Sequence, residues 1–135
     1  LLARGSDGAL ADFAVSLEKL GEELTDDLIQ QVTQKLALQA LSGVVLKSPV
    51  DTGRFRGNWN VSVDFRDNTI TETNDKSGQA TIAKGQGIVT TVPPYRAIWL
   101  TNNLPYARRL ETGWSQQAPA GMVALTVAEI ESQLR

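Results

Sequence analysis

The chain has 135 residues, of which 41% are hydrophobic and 21% charged, so it has the balance of one small globular domain rather than of a disordered segment. It has no cysteine and no histidine, which removes disulfides, thiolate chemistry, sulfur-based zinc sites and the commonest general base near neutral pH. A net charge of −2 gives no whole-chain case for nucleic acid. The charge is unevenly spread, however: residues 1–50 carry 4 basic against 7 acidic side chains, and residues 51–110 carry 8 against 5. No run approaches the roughly 20 apolar residues of a membrane span, and the first ten residues lack the basic and apolar regions of a signal peptide. The missing initiator methionine points to a longer precursor.

Along the chain, Phe13, Leu17, Leu20, Leu24, Leu28, Val32, Leu36 and Ala40 recur at steps of three and four, which predicts a long amphipathic helix over about residues 9 to 46. Unbroken, it would run about 57 Å at 1.5 Å per residue, which is long for a compact fold of this size. Gly21 and Gly43 are the candidate breaks. Thr25, followed by Asp26 and Asp27, would cap a second helix, and Ser48 and Pro49 stop it. Asp51, Thr52 and Gly53 have turn chemistry, with Asp51 as a side-chain acceptor and Gly53 at positive φ. Replacing Gly53 by valine is therefore expected to cost more than about 1 kcal/mol, with alanine milder.

Trp59, Val61, Val63 and Phe65 share one parity and predict a strand with one buried face, and Asp67 and Asn68 offer a turn into an antiparallel partner over residues 69 to 73. Residues 74 to 92 read as a polar, flexible insertion because of Gly78, Gly85 and Gly87. A short helix near residues 77 to 83 and an extended stretch near 88 to 92 are the alternatives there. Residues 97 to 101 predict another strand, with Trp99 in the core, and residues 106 to 111 a short helix behind Pro105 that ends at Gly113. From about Ala118, with Pro119 in its first turn, Met122, Leu125, Val127, Ile130 and Leu134 predict a final helix. The fold class expected is α+β, a single domain in which a long N-terminal helix, a short helix and a C-terminal helix cover a small, mostly antiparallel sheet.

The chemistry-bearing residues do not form a catalytic pattern. Asp51 to Arg56 lacks the glycine spacing and lysine of a phosphate loop, and Asp64, Asp67, Glu72 and Asp75 fall mostly at turns or on a polar face where carboxylates meet water. No catalytic residue, cofactor or metal ligand is predicted. Arg54, Arg56, Arg66, Arg96, Arg108 and Arg109 offer the alternative reading, a nucleic-acid-binding module using the arginine-rich middle segment. Pairing of these arginines with the chain's own carboxylates, such as Arg108 with Glu111, is favoured over it. Trp114, in a polar loop, reads as a protein-contact residue.

Two segments carry a resemblance. Ser48 to Trp59, with Pro49, Asp51, Thr52 and Gly53 in a P-V-D-T-G-x-L-R pattern, resembles a signature of the tail-completion and neck proteins of long-tailed bacteriophages. Asn102 to Gly113, an N-x-x-P-Y-A-x-x-x-E-x-G pattern that begins at Asn102 and contains Asn103, Pro105, Tyr106, Ala107, Glu111 and Gly113, resembles the second signature of that family. Phe55 stands where leucine is usual, and the polar insertion is not explained by either signature. The resemblance implies a non-enzymatic virion subunit that completes the tail or joins it to the head and is assembled in the host bacterial cytoplasm. It implies tail tube, tail terminator or head connector proteins as partners, and a homo-oligomeric ring of sixfold symmetry; contact with membrane or DNA is not predicted. Arg54, Arg56, Arg109 and Trp114 are the candidate contact residues. Residues 74 to 92 are expected to become ordered on joining the assembly.

Overall fold

A computed structural model describes residues 25–134. The order is α1 (Asp26–Lys47), α2 (Arg54–Gly57), β1 (Trp59–Val63), α3 (Gln79–Val89), β2 (Ile98–Asn102), α4 (Ala107–Glu111) and α5 (Val123–Leu134). The fold is α+β, with helices packed on a two-stranded antiparallel sheet.

Helix α1 starts where its sequence stops being ambiguous. Thr25 is the N-cap, its Oγ1 accepting from Leu28 N at 3.1 Å, and Asp26 and Asp27 follow at the positive end of the helix dipole. The residues of the expected long helix before Thr25, with Gly21, lie outside the described residues. Gly43 does not break α1; Thr126 of α5 packs against it instead. Ser48 ends the helix with extended backbone, as its position before Pro49 requires. Only the last third of α1 is deeply buried, through Leu41, Val44 and Val45.

The strand from Trp59 ends at Val63 because Asp64 takes φ of 69° and Phe65 N donates to Val63 O at 2.8 Å, a three-residue γ-turn. The turn breaks the parity, and Phe65, expected in the buried face, is 81% exposed. The partner of β1 is β2, not residues 69–73. Register Asn60↔Thr101 and Ser62↔Trp99 places Trp99 on the outer face, 41% exposed, so it is not a core residue, whereas Trp59 and Val61 face inward. Residues 69–73 still return past β1, but side-chain amides replace a ladder. Asn58 Oδ1 accepts from Thr71 N at 2.8 Å, Asn58 Nδ2 donates to Thr71 O at 3.0 Å, and Asn60 Nδ2 donates to Thr69 O at 3.3 Å.

The segment expected to be a flexible insertion contains α3, which packs between α1 and β1. Asp75 makes this helix possible. Its buried carboxylate accepts from Gly78 N at 3.1 Å and from Thr81 N and Oγ1 at 2.8 and 2.7 Å, satisfying the orphan donors of the first turn. Gly85 is then a packing residue, since a Cβ there would run into Leu41 of α1 and Val61 of β1. Val89 and the following Val92 are buried, so this stretch is ordered within the chain itself rather than awaiting a neighbour.

Helix α5 starts at Val123, four residues after Pro119, which lies in the preceding turns rather than in the helix. Met122, just before it, and Thr126 are buried and Ile130 is half-buried, while Val123, Leu125 and Val127 are exposed, so only part of the predicted apolar stripe faces the core. The core joins Leu41, Val45, Val89 and Met122 with Phe55 and Trp59. Side chains buried this fully contribute roughly 1.5–3 kcal/mol each.

Candidate functional site

The two signature segments fold into one face. Its first part is built at the end of α1, where the last carbonyls lack helical partners. Arg56 meets that need: its guanidinium donates to Leu46 O at 2.9 Å, Ser48 O at 3.1 Å and Lys76 O at 2.8 Å. Ser48 is buried, donating Oγ–H to Val44 O at 2.6 Å and accepting from Trp59 Nε1 at 2.8 Å, so the helix stop also positions the first tryptophan. Gly53, at φ 91°, turns its carbonyl to accept from both Gly57 N and Asp75 N at 2.9 Å. Thr52 Oγ1 accepts from Arg54 N at 3.2 Å. Among the described residues no hydrogen bond engages the Asp51 side chain, which is exposed; the turn acceptor is Thr52.

Phe55 ties the two segments together. Its buried ring meets Trp59 edge-on at 6.1 Å and Tyr106 at 5.9 Å, and its carbonyl accepts from Asn102 Nδ2 at 2.9 Å. Asn103 Nδ2 donates to Asp67 O at 2.6 Å and Thr69 O at 3.0 Å, holding the irregular stretch against the sheet. Val50 and Gln117 exchange two bonds, N–H to Oε1 at 2.7 Å and Nε2 to carbonyl at 3.0 Å. A groove runs between these parts, lined by Pro49, Thr52, Tyr106, Leu110, Ser115 and Gln117.

Glu111 does not pair with Arg108. Its carboxylate accepts from Met122 N and Val123 N at 2.9 Å and from Ala124 N at 3.0 Å, capping α5 from the end of α4. Burial pushes this carboxyl up, but the three backbone donors outweigh it and hold its pKa below the ordinary 4.5. Asp75 balances the same way: burial raises it, and the bonds from Thr81, Gly78 and Ser77 bring it below 3.8. Pro105 precedes α4, Ala107 N closes the turn on Leu104 O at 3.0 Å, and Gly113 ends α4 at φ 95°. Directly after Gly113, Trp114 is 71% exposed, with the Arg109 guanidinium 4.7 Å from its ring centroid.

The arginines of the middle segment do not form one free basic patch. Arg56 is consumed by carbonyls, Arg96 pairs with Asp64, and Arg54 pairs with Glu72 at 3.2 Å. Of the four candidate contact residues, Arg109 and Trp114 come together at the surface, Arg54 lies half-exposed in its ion pair, and Arg56 holds the fold. Asn58 and Gln117 were not singled out from the sequence, because their partners on Thr71 and Val50 lie 13 and 67 residues away; Asn102 opens the second signature, but its bond to Phe55 O, 47 residues away, has no local sign. Asp75 had a local signal, an acidic residue three positions before Gly78 and six before Thr81 at a helix start. Among the described residues no group of three or more acidic side chains could hold a metal ion, and no helix is long and apolar enough to cross a membrane.

A family model described as "Bacteriophage HK97-gp10, putative tail-component" matches residues 11–113, which include both signatures and the Phe55 junction between them. The chain belongs to this HK97-gp10-like family. No curated protein and no solved structure gave a match. Membership makes the chain a phage tail-related protein, and within the matched span lie Arg54, Arg56, Arg109, Asp75 and Glu111 but not Trp114. The Arg109–Trp114 pair therefore joins a residue inside the HK97-gp10-like region to one just beyond it.

Proposed function

We propose that this HK97-gp10-like protein is a non-enzymatic structural subunit that completes the tail end or helps form the head-tail joint, acting by contact and geometry. The observation that carries the reading is the Arg109–Trp114 pair. A tryptophan 71% exposed, stacked under a guanidinium and anchored between Gly113 and the Val50–Gln117 bridge, has the properties of an interface anchor. Its backbone is held in place, since Trp114 N donates to Arg109 O at 3.2 Å and Glu111, three residues earlier, caps α5. The partners in this reading are tail tube, terminator or connector proteins, met by a ring of copies of this chain in the virion. Arg54 at the groove rim would add to that contact. The nucleic-acid reading receives less support, since three of the six arginines it requires are engaged within the fold.

The test is complementation of particles lacking this protein with Trp114→Ala and Arg109→Ala variants, examined by electron microscopy. The expected result is an unchanged melting temperature with tails that fail to join. Normal, infectious particles from both variants would refute the assignment of this pair.

A further inference from the structure

We infer that the open edge of β2 pairs with β2 of a second copy, in a twofold antiparallel contact centred on Leu100. The phase of the existing ladder sets the edge. Asp64 N donates to Ala97 O at 2.7 Å, one step beyond the Val63↔Ile98 pair. In a strand, each residue sends its N–H and C=O to the same side and the next residue sends them to the other. Trp99 and Thr101 therefore bond to β1, and Ile98, Leu100 and Asn102 direct theirs away from it. Among the described residues β1 is the only strand paired with β2, and no hydrogen bond engages the backbone groups of Ile98 or Leu100 on the far edge.

Natural sheets blunt such an edge with charge, proline or a bulge. The segment Ile98–Asn102 has none of these. The contrast is with β1, which the γ-turn at Asp64 ends and α3 packs against. Beside the open edge, on the inner side of the sheet, a largely apolar groove is lined by Leu100, Phe55, Trp59 and Met122, and also by Arg108 and Glu111. On the outer side Trp99 is half-exposed.

Unpaired groups at strand spacing call for an extended backbone as occupant, and this chain supplies one that fits itself. With the twofold axis at Leu100, Ile98 faces Asn102 of the second copy and each outward N–H meets a carbonyl. The two Leu100 side chains then meet beside the groove, while Trp99 lies across from Thr101. No charged residue falls within the paired segment, so no like charges oppose one another. Five residues bury far less than the roughly 1,600 Å² of a standard interface, so the pair is weak and exchangeable. A twofold contact closes on itself and cannot propagate into a ring, so this contact is separate from the one proposed for the virion.

Because the chain has no cysteine, one introduced thiol reports the contact. Residues opposed as a hydrogen-bonded pair have Cα atoms about 5.5 Å apart, within disulfide range. Under mild oxidation Leu100→Cys should form a covalent dimer at least about tenfold faster than Ala80→Cys, an exposed control on α3, because pairing raises the local thiol concentration. Adding Ile98→Pro removes only an outward N–H at the first strand residue and should return the rate to the control value with the fold retained by circular dichroism. Equal rates for the two single variants, or an undiminished rate with proline, would overturn the inference. The unsubstituted full chain gives an independent reading by sedimentation velocity: its mass should rise with concentration, and a monomer throughout, up to about 1 mM, would equally overturn it.

Discussion

Gly53 offers the sharpest test of how the first signature works. Its φ of 91° would by itself cost an L-residue about 1–2 kcal/mol. The larger problem is space, because a Cβ at this position would lie 2.5 Å from Lys76 N and 2.7 Å from Asp75 N and C. All three are backbone atoms, so no side chain can swing aside. Relief would pull the Gly53 carbonyl away from Asp75 N, now at 2.9 Å, and lose a bond contributing about 1 kcal/mol. Alanine is therefore costly too, since the first side-chain carbon already meets backbone, and valine adds its branched carbons to the same contact. Gly53→Ala should cost about 3 kcal/mol, which at about 2.1 cal/mol/K per residue lowers the melting temperature by about 10 °C. The matched control is Gly87→Ala. That position lies within α3 with nothing inside 4 Å of the added carbon, so alanine should raise stability by about 0.5–1 kcal/mol. Calorimetry of both variants decides the matter. A Gly53→Ala protein melting within about 2 °C of the parent would refute the backbone-contact argument.

Two further substitutions test side chains that replace secondary structure. Asn58 is fully buried and bonds Arg54 O, Thr71 O and Thr71 N, so Asn58→Leu should strand these groups and cost about 3 kcal/mol or more in urea unfolding; a loss below about 1 kcal/mol would mean that water substitutes for the amide. Glu111 has a folded pKa held below 4.5, so its stabilisation is present above that value and is lost as pH falls through the lower folded one. Glu111→Gln should lower stability at pH 7 by about 1 kcal/mol and flatten the loss between pH 5 and 3. An unchanged acid slope would show that the cap does not depend on the charge.

What the sequence by itself determined here is local. Thr25 at the start of α1, Ser48 and Pro49 at its end, positive φ at Gly53, the strand beginning at Trp59 and the short helix behind Pro105 that Gly113 terminates all depend on neighbours within a few residues. Sterics, capping and dihedral preference act over that range, so the pattern shows them directly. The two signatures were legible for the same reason, as uninterrupted strings. Tertiary structure decided everything that needed a distant partner. Residues 69–73 alternate like a strand, yet β1 pairs with β2 because Asn58 and Asn60 hold the intervening stretch through side-chain amides, and nothing local distinguishes the two choices. Three glycines made α3 read as a flexible loop; burial of Val89, the Asp75 cap and the close approach at Gly85 offset their poor helix propensity. Arg56 looked like a surface contact until the unpaired carbonyls at the end of α1 were brought to it, and Glu111 looked like a partner for Arg108 until the N-terminus of α5 arrived 11 residues later. Orphaned backbone groups at helix ends are satisfied by whatever polar side chain the packing places beside them, and that placement belongs to the assembled core, not to any short run of residues.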